Sequence, residues 1–151
     1  MKRRTAGLLG LIVLLAVAVA VAGGYAWLKV PYAYSTAAGV AREFLTLLQE
    51  GRLEQAYELT LKRQSLVGRD LKEFQPFAAR QLCSAEHLPL VGEPHPPQSN
   101  GNRLRRWLAG HEVEMPSVQL RFEKSPCLMT VELRRDREGR WRVFYFQSRA
   151  G

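Results

Sequence analysis

The sequence predicts an α+β protein behind an N-terminal transmembrane helix. Three observations carry this. Ala6 to Leu28 is 23 residues without a charge. Residues 37–82 repeat apolar side chains at helical spacing. Residues 103–147 alternate apolar and polar side chains in short runs, as half-buried strands do. Helices first and strands afterwards is the α+β order. The chain therefore reads as a stub and span (1–30), a linker (31–36) and one extracytoplasmic domain (37–149).

The uncharged run would make a helix of roughly 35 Å at about 1.5 Å per residue, enough to cross a hydrocarbon core of about 30 Å. Signal peptides carry shorter apolar regions, about 7–15 residues. Retention is therefore expected, although Ala20-Val21-Ala22 leaves cleavage after Ala22 as the alternative. Tyr25, Trp27 and Lys29 follow at the membrane–water interface, where amphipathic rings sit well. Lys2, Arg3 and Arg4 keep the N-terminus cytoplasmic by the positive-inside rule. In a bacterium this is a single-pass inner-membrane protein with its domain in the periplasm. Gly7, Gly10, Gly23, Gly24 and many alanines give a smooth helix face that could pack on another span, though they are also common in any such helix.

Beyond the linker, Ala37, Val40, Ala41, Phe44, Leu45 and Leu48 form one helical stripe. Ser35 or Thr36 is placed to cap its start, and Gly51 its end. Leu53, Ala56, Tyr57, Thr60 and Leu61 continue the period in a second helix, making a helical hairpin or a bent pair. Asp70 and Glu73 have capping-box spacing before a third helix with Leu71, Phe74, Phe77, Ala78 and Leu82 on its apolar side. Pro76 within it lacks an N–H and should kink it or restart it. Residues 84–102 hold Pro89, Pro94, Pro96 and Pro97 and read as loop, with one short edge strand at 88–91. "RLRRWLAGHEVEM" (103–115) is expected as a long strand bulged at Gly110. "SVQLRFE" (117–123), "CLMTVELR" (127–134) and "RWRVFYFQ" (140–147) are the further strands. Gly139 supplies a positive φ in the "RDREG" connection.

"AREFLTLLQEGRLEQAYELT" (41–60) resembles the opening of nuclear-transport-factor-2-like domains, also called cystatin-like cone folds. "VELRRDREGRWRVFYF" (131–146) resembles that family's last hairpin, with Trp141 just after the turn. The resemblance spans most of residues 37–147, and the Pro-rich 84–102 segment departs from it. It implies helices packed on a strongly curved antiparallel sheet. The family holds enzymes, ligand carriers, secretion-complex subunits and assembly modules, so fold does not fix function.

Enzymes of that fold type usually place Asp, His or Tyr inside the cone. This chain has two Asp, of which Asp70 reads as a helix cap and Asp136 as a turn residue. Tyr57 is the best inward polar group, but tyrosine on a helical stripe is more often core with its hydroxyl at a rim. A catalytic role would also need a matched acid–base partner. His87, His95 and His111 lack metal spacing, and two cysteines make no zinc pattern. No metal or other cofactor is expected. Cys83 and Cys127 form an even pair in an exported domain, so a disulfide is expected, the alternative being two buried thiols.

Net charge is +8, but Lys2, Arg3, Arg4 and Lys29 flank the span, leaving 18 basic against 14 acidic residues from Tyr32 onward. Nucleic acid is disfavoured by that mild balance and by the export topology. Arg103, Arg105 and Arg106 form one basic cluster. Arg134, Arg135, Arg137, Arg140 and Arg142 form another. They could meet anionic lipid or an acidic partner surface, or simply keep exposed strands from pairing. The leading expectation is a non-catalytic accessory or assembly subunit of an envelope or secretion complex. Its partners would be membrane lipids and other envelope membrane proteins. A second copy pairing through a sheet face, giving a homodimer, stays among them. The alternatives are a cone holding a small apolar ligand or lipid against Phe44, Tyr57, Phe74 and Phe77, and, more remotely, an enzyme using Tyr57.

Overall fold

The computed structural model describes residues 2–83, 87–96 and 101–150, with side chains from Gly10 to Arg149. Ser84 to Glu86 and Pro97 to Asn100 of the expected Pro-rich loop, and the side chains of Lys2, Arg3 and Arg4, lie outside these. The described residues hold α1 (Lys2–Lys29), α2 (Ser35–Gln49), α3 (Leu53–Glu58), a 3₁₀ turn (Lys62–Gln64), α4 (Leu71–Gln81) and α5 (Asn102–Leu108). The strands are β1 (Ser117–Lys124), β2 (Cys127–Arg135) and β3 (Trp141–Ala150). The architecture is α+β. Two compact units form: Met1–Tyr32 with Ser99–Glu114, and Ala33–Gln98 with Met115–Gly151. Residues 37–149 are expected as one domain, whereas the described residues 101–114 cluster with the N-terminal helix.

In the first unit, α1 carries a 20-residue stretch, Gly10–Lys29, long and apolar enough to cross a membrane, with its side chains exposed. Residues 103–108 are helix, not the strand expected from alternation. Gly110 has φ +69°, but it ends a helix instead of bulging a strand. Its N–H donates to the Trp107 carbonyl (3.0 Å), and His111 N–H donates to Arg106 (2.9 Å). That bond pair is a Schellman stop.

Among its described residues the second unit holds a three-stranded antiparallel meander, β1-β2-β3, with α2 and α4 packed on β3 through Phe44, Phe74 and Phe77. Val118, Leu120 and Phe122 of β1 are buried with Cys127, Met129, Val131 and Leu133 of β2. On β3 the register shifts between Glu132 and Leu133, which pair with Tyr145 and Val143. Phe144 is the extra residue, so Val143 and Phe146 both point into the core although their numbering differs in parity. This explains why the sequence of β3 reads apolar on both faces.

The helices form largely where periodicity places them. α2 buries Ala37, Ala38, Ala41, Phe44, Leu45, Leu47 and Leu48. Neither Ser35 nor Thr36 caps it. The Tyr34 carbonyl already accepts from Ala38 (2.9 Å), so the helix opens one residue earlier without a side-chain cap. Its end is as expected: Gly51 at φ +72° completes a Schellman stop, with Arg52 N–H on Leu47 (2.9 Å). α4 has the expected cap, Glu73 N–H to Asp70 Oδ1 (2.9 Å). The Glu73 carboxylate returns to the Arg69 N–H (2.9 Å), one residue earlier than a standard capping box. The helix runs through Pro76.

The second helix is shorter than expected, for Thr60 and Leu61 leave it. The Thr60 hydroxyl bonds the Tyr57 carbonyl (2.7 Å), competing with helix continuation. Leu59 and Leu61 then join the β3 edge: Val143 N–H donates to Leu59, and Leu61 N–H to Val143, both at 2.9 Å. The β1 edge is covered by the Pro-rich segment, through bridges Leu90 to Phe122 and His95 to Gln119. Both exposed edges are thus occupied by short pieces of chain. Cys83 and Cys127 are joined in a disulfide, tying the end of α4 to the start of β2 across 44 residues.

Gly68 sits at φ +133°, where a Cβ would lie 2.6 Å from the Phe74 amide nitrogen. Gly68→Ala should cost about 2–3 kcal/mol, because both clash and φ oppose it. Gly51→Ala meets open space and should cost only about 1 kcal/mol, from its φ alone. Urea unfolding of the solubilised chain, followed by near-ultraviolet circular dichroism, measures the difference.

Candidate functional site

Phe44, Phe74, Phe77 and Tyr57, expected to line a cone, do come together. Phe146 of β3 is the centre, with Phe44 at 5.0 Å, Phe77 at 5.3 Å and Phe74 at 6.4 Å between ring centroids. Tyr57 lies 5.4 Å from Phe74. Phe44, Phe74 and Phe146 have no exposed surface, so these rings are packed on one another as core. The Tyr57 hydroxyl points outward and donates to the Arg69 carbonyl (2.7 Å). Burial raises its pKa first, and the Asp70 charge adds to this. The phenol therefore stays protonated at neutral pH and is a poor base.

The hairpin arginines divide. Arg134 lies 3.3 Å over the Phe144 ring and pairs with Glu132 (2.9 Å), and Arg135 lies 4.5 Å over Trp141. Arg137, Arg140 and Arg142 instead line an open cleft of about 500 Å³. Its opposite wall comes from the end of α3 and the 3₁₀ turn: Tyr57, Glu58, Lys62 and Arg63, with Arg69 beyond. Six cations and three carboxylates line it. Lys62, Arg63 and Arg69 were not singled out from the sequence. The "LKR" that follows Thr60 was the available signal, but only the edge pairing of Leu59 and Leu61 brings it to the hairpin.

Asp136 organises the cleft. Its Oδ1 accepts from the backbone N–H groups of Glu138 (3.1 Å) and Arg140 (2.8 Å), and Gly139 at φ +77° completes the three-residue turn. Its Oδ2 takes the Arg140 and Arg142 guanidinium groups at 3.0 and 3.3 Å. Arg142 also donates to the Glu58 carbonyl (3.0 Å), bridging the two walls. Glu58 pairs with Lys62 (2.7 Å) and Glu138 with Arg140 (3.1 Å). All three carboxylates are thus engaged, while Arg63 and Arg137 make no ion pair with another described residue. Lys62 has φ +51°, a left-handed conformation that costs a non-glycine residue about 1 kcal/mol or more. The turn thus holds a cation at the rim against a backbone cost.

A second groove, about 270 Å³, lies between residues 91–95 and the polar sheet face of Gln119, Arg121, Thr130, Gln147 and Arg149. Arg103, Arg105 and Arg106 belong to the other unit. Arg103 lies 5.2 Å over Trp27 and 4.4 Å over Tyr32, and Lys29 lies 4.6 Å over Tyr25. Among the described residues no three His, Cys, Asp or Glu side chains gather as a metal site.

No protein-family model matches the chain, and neither curated proteins nor solved structures gave a similar one.

Burial would raise the Asp136 pKa, but hydrogen bonds from the Arg140 amide and from the Arg142 and Arg140 guanidinium groups outweigh it and hold it at about 2. An ordinary Asp titrates near 3.9. The carboxylate therefore adds stability above about pH 4 and loses it as pH falls through about 2. Asp136→Asn should be less stable than the parent at pH 7, with the gap closing between about pH 4 and 2 in urea titrations.

Proposed function

We propose that the chain is a membrane-anchored, extracytoplasmic accessory module that acts without catalysis, binding other envelope or secretion-complex proteins. In this reading α1 stays attached as a single inner-membrane span with its N-terminus in the cytoplasm. The α+β unit is a small cone-like domain of the nuclear-transport-factor-2-like type. One observation carries the reading: the aromatic interior is packed on itself, while the groups able to recognise a partner stand in the open cleft between α3 and the last hairpin.

The cleft favours an acidic segment of another protein. Its cations outnumber its carboxylates, and the carboxylates are already held, so Arg63 and Arg137 supply charge that the unit does not neutralise itself. Complementary charge of this kind sets specificity and encounter rate more than raw affinity. A second copy is a poorer occupant, since the chain from Tyr32 onward is itself net positive. The ligand-carrier reading is weakened by the closed rings, and the enzyme reading by the committed, protonated Tyr57 hydroxyl.

Crosslinking of a tagged full-length chain in its native membrane, followed by mass spectrometry, tests this. The parent should recover a defined set of envelope proteins. Arg63→Glu with Arg137→Glu should lose it while the disulfide and circular dichroism stay unchanged. Recovery of the same set by the double variant would exclude the cleft as the docking surface.

A further inference from the structure

We propose that α5 is an interfacial helix, lying on the lipid surface where α1 leaves the membrane, with Trp107 and Leu108 in the boundary between head groups and acyl chains. This rests on the reading of α1 as a membrane span.

The placement comes from bonds at both ends of the segment. Gly101 N–H donates to the Lys29 carbonyl (3.0 Å), and Arg103 Nη1 donates to the carbonyls of Val30 (2.6 Å) and Pro31 (3.4 Å). These acceptors lie at and just past the C-terminus of α1, where carbonyls have no helical partner. The Arg103 guanidinium also covers the Trp27 and Tyr32 rings. Beyond α5, the Tyr32 hydroxyl donates to the Val113 carbonyl. Arg106 Nε reaches the Glu112 carbonyl (2.6 Å), folding the exit back on the helix. Residues 101–113 are therefore fastened to residues 27–32.

A span of about 20 residues ends where the hydrocarbon ends, so a segment fastened there sits at the boundary. Its composition fits that place. Trp107 is 58 % and Leu108 69 % exposed, an adjoining large apolar pair with neither side chain buried by the chain. Arg105 and Arg106 precede them. Tryptophan and leucine beside arginine suit a surface that is apolar below and anionic above. The unit that carries α1 thus exposes apolar side chains on both helices, and lipid is the occupant that covers both.

Fluorescence quenching in vesicles tests the inference with the full-length chain. The vesicles are phosphatidylcholine and phosphatidylglycerol with acyl chains brominated near the carboxyl end. Trp107→Phe and Trp27→Phe are compared with the parent, and Trp141 remains as common background. Each variant should lose part of the quenchable emission. Loss in Trp27→Phe but none in Trp107→Phe would overturn the interfacial helix and leave the anchor standing. Loss in neither would overturn the anchor itself, and the helix with it.

Discussion

The α+β unit depends on the ring of Phe146. It is the point at which β3 meets both α2, through Phe44, and α4, through Phe74 and Phe77. Each large side chain taken fully from water contributes about 1.5–3 kcal/mol, and tilted ring pairs add about 0.5–1.5 kcal/mol beyond area. In a unit whose sheet has three strands, these contacts are a large share of what joins helices to sheet. The β3 irregularity at Phe144 makes this possible, because it turns Phe146 to the same face as Val143. The same packing leaves Phe44, Phe74 and Phe146 without exposed surface.

Edge protection links the core to the cleft. A three-stranded sheet has two open edges, and here both are met by short segments, Leu59 to Leu61 on β3 and Leu90 to His95 on β1. The first of these cuts α3 short and throws Lys62 and Arg63 against the hairpin. Asp136 and Arg142 then fix the cleft's shape by bonds to both walls. One tertiary demand, an edge strand needing partners, therefore builds the charged surface. The disulfide closes 44 residues between α4 and β2, a constraint worth about 3–4 kcal/mol on the chain-entropy model.

Much of this was legible in the sequence. The uncharged run, the stripe of α2 with its Gly51 stop, the Asp70–Glu73 cap and the alternation of β1 and β2 are local signals, and local geometry obeyed them. The Cys83–Cys127 pair followed from count and expected compartment. The helix at 102–108 was decided by distant contacts. "RLRRWLAGHEVEM" fits a bulged strand or a short helix equally well, because Gly110 at positive φ suits either. The bonds of Gly101 and Arg103 to residues 29–31 favour the helix, and no window on 103–115 contains them. The cleft was half visible, since the hairpin arginines stood out by density. Lys62, Arg63 and Arg69 gained meaning only when the β3 edge drew their segment in. Phe44, Tyr57, Phe74 and Phe77 lie together, but shared apolar spacing does not distinguish a lined cavity from a filled one.

Closure of the aromatic interior can be measured directly. The aromatic proton resonances of Phe44, Phe74 and Phe146 in the solubilised full-length chain would be followed during titration with benzene. Phe44→Ala serves as the positive control, since a cavity lined by apolar side chains stays dry and takes up such a ligand. With a closed interior, the parent resonances do not move while those of Phe74 and Phe146 in the variant shift and saturate. Saturable shifts in the parent would contradict it and return the interior to the role of a ligand site.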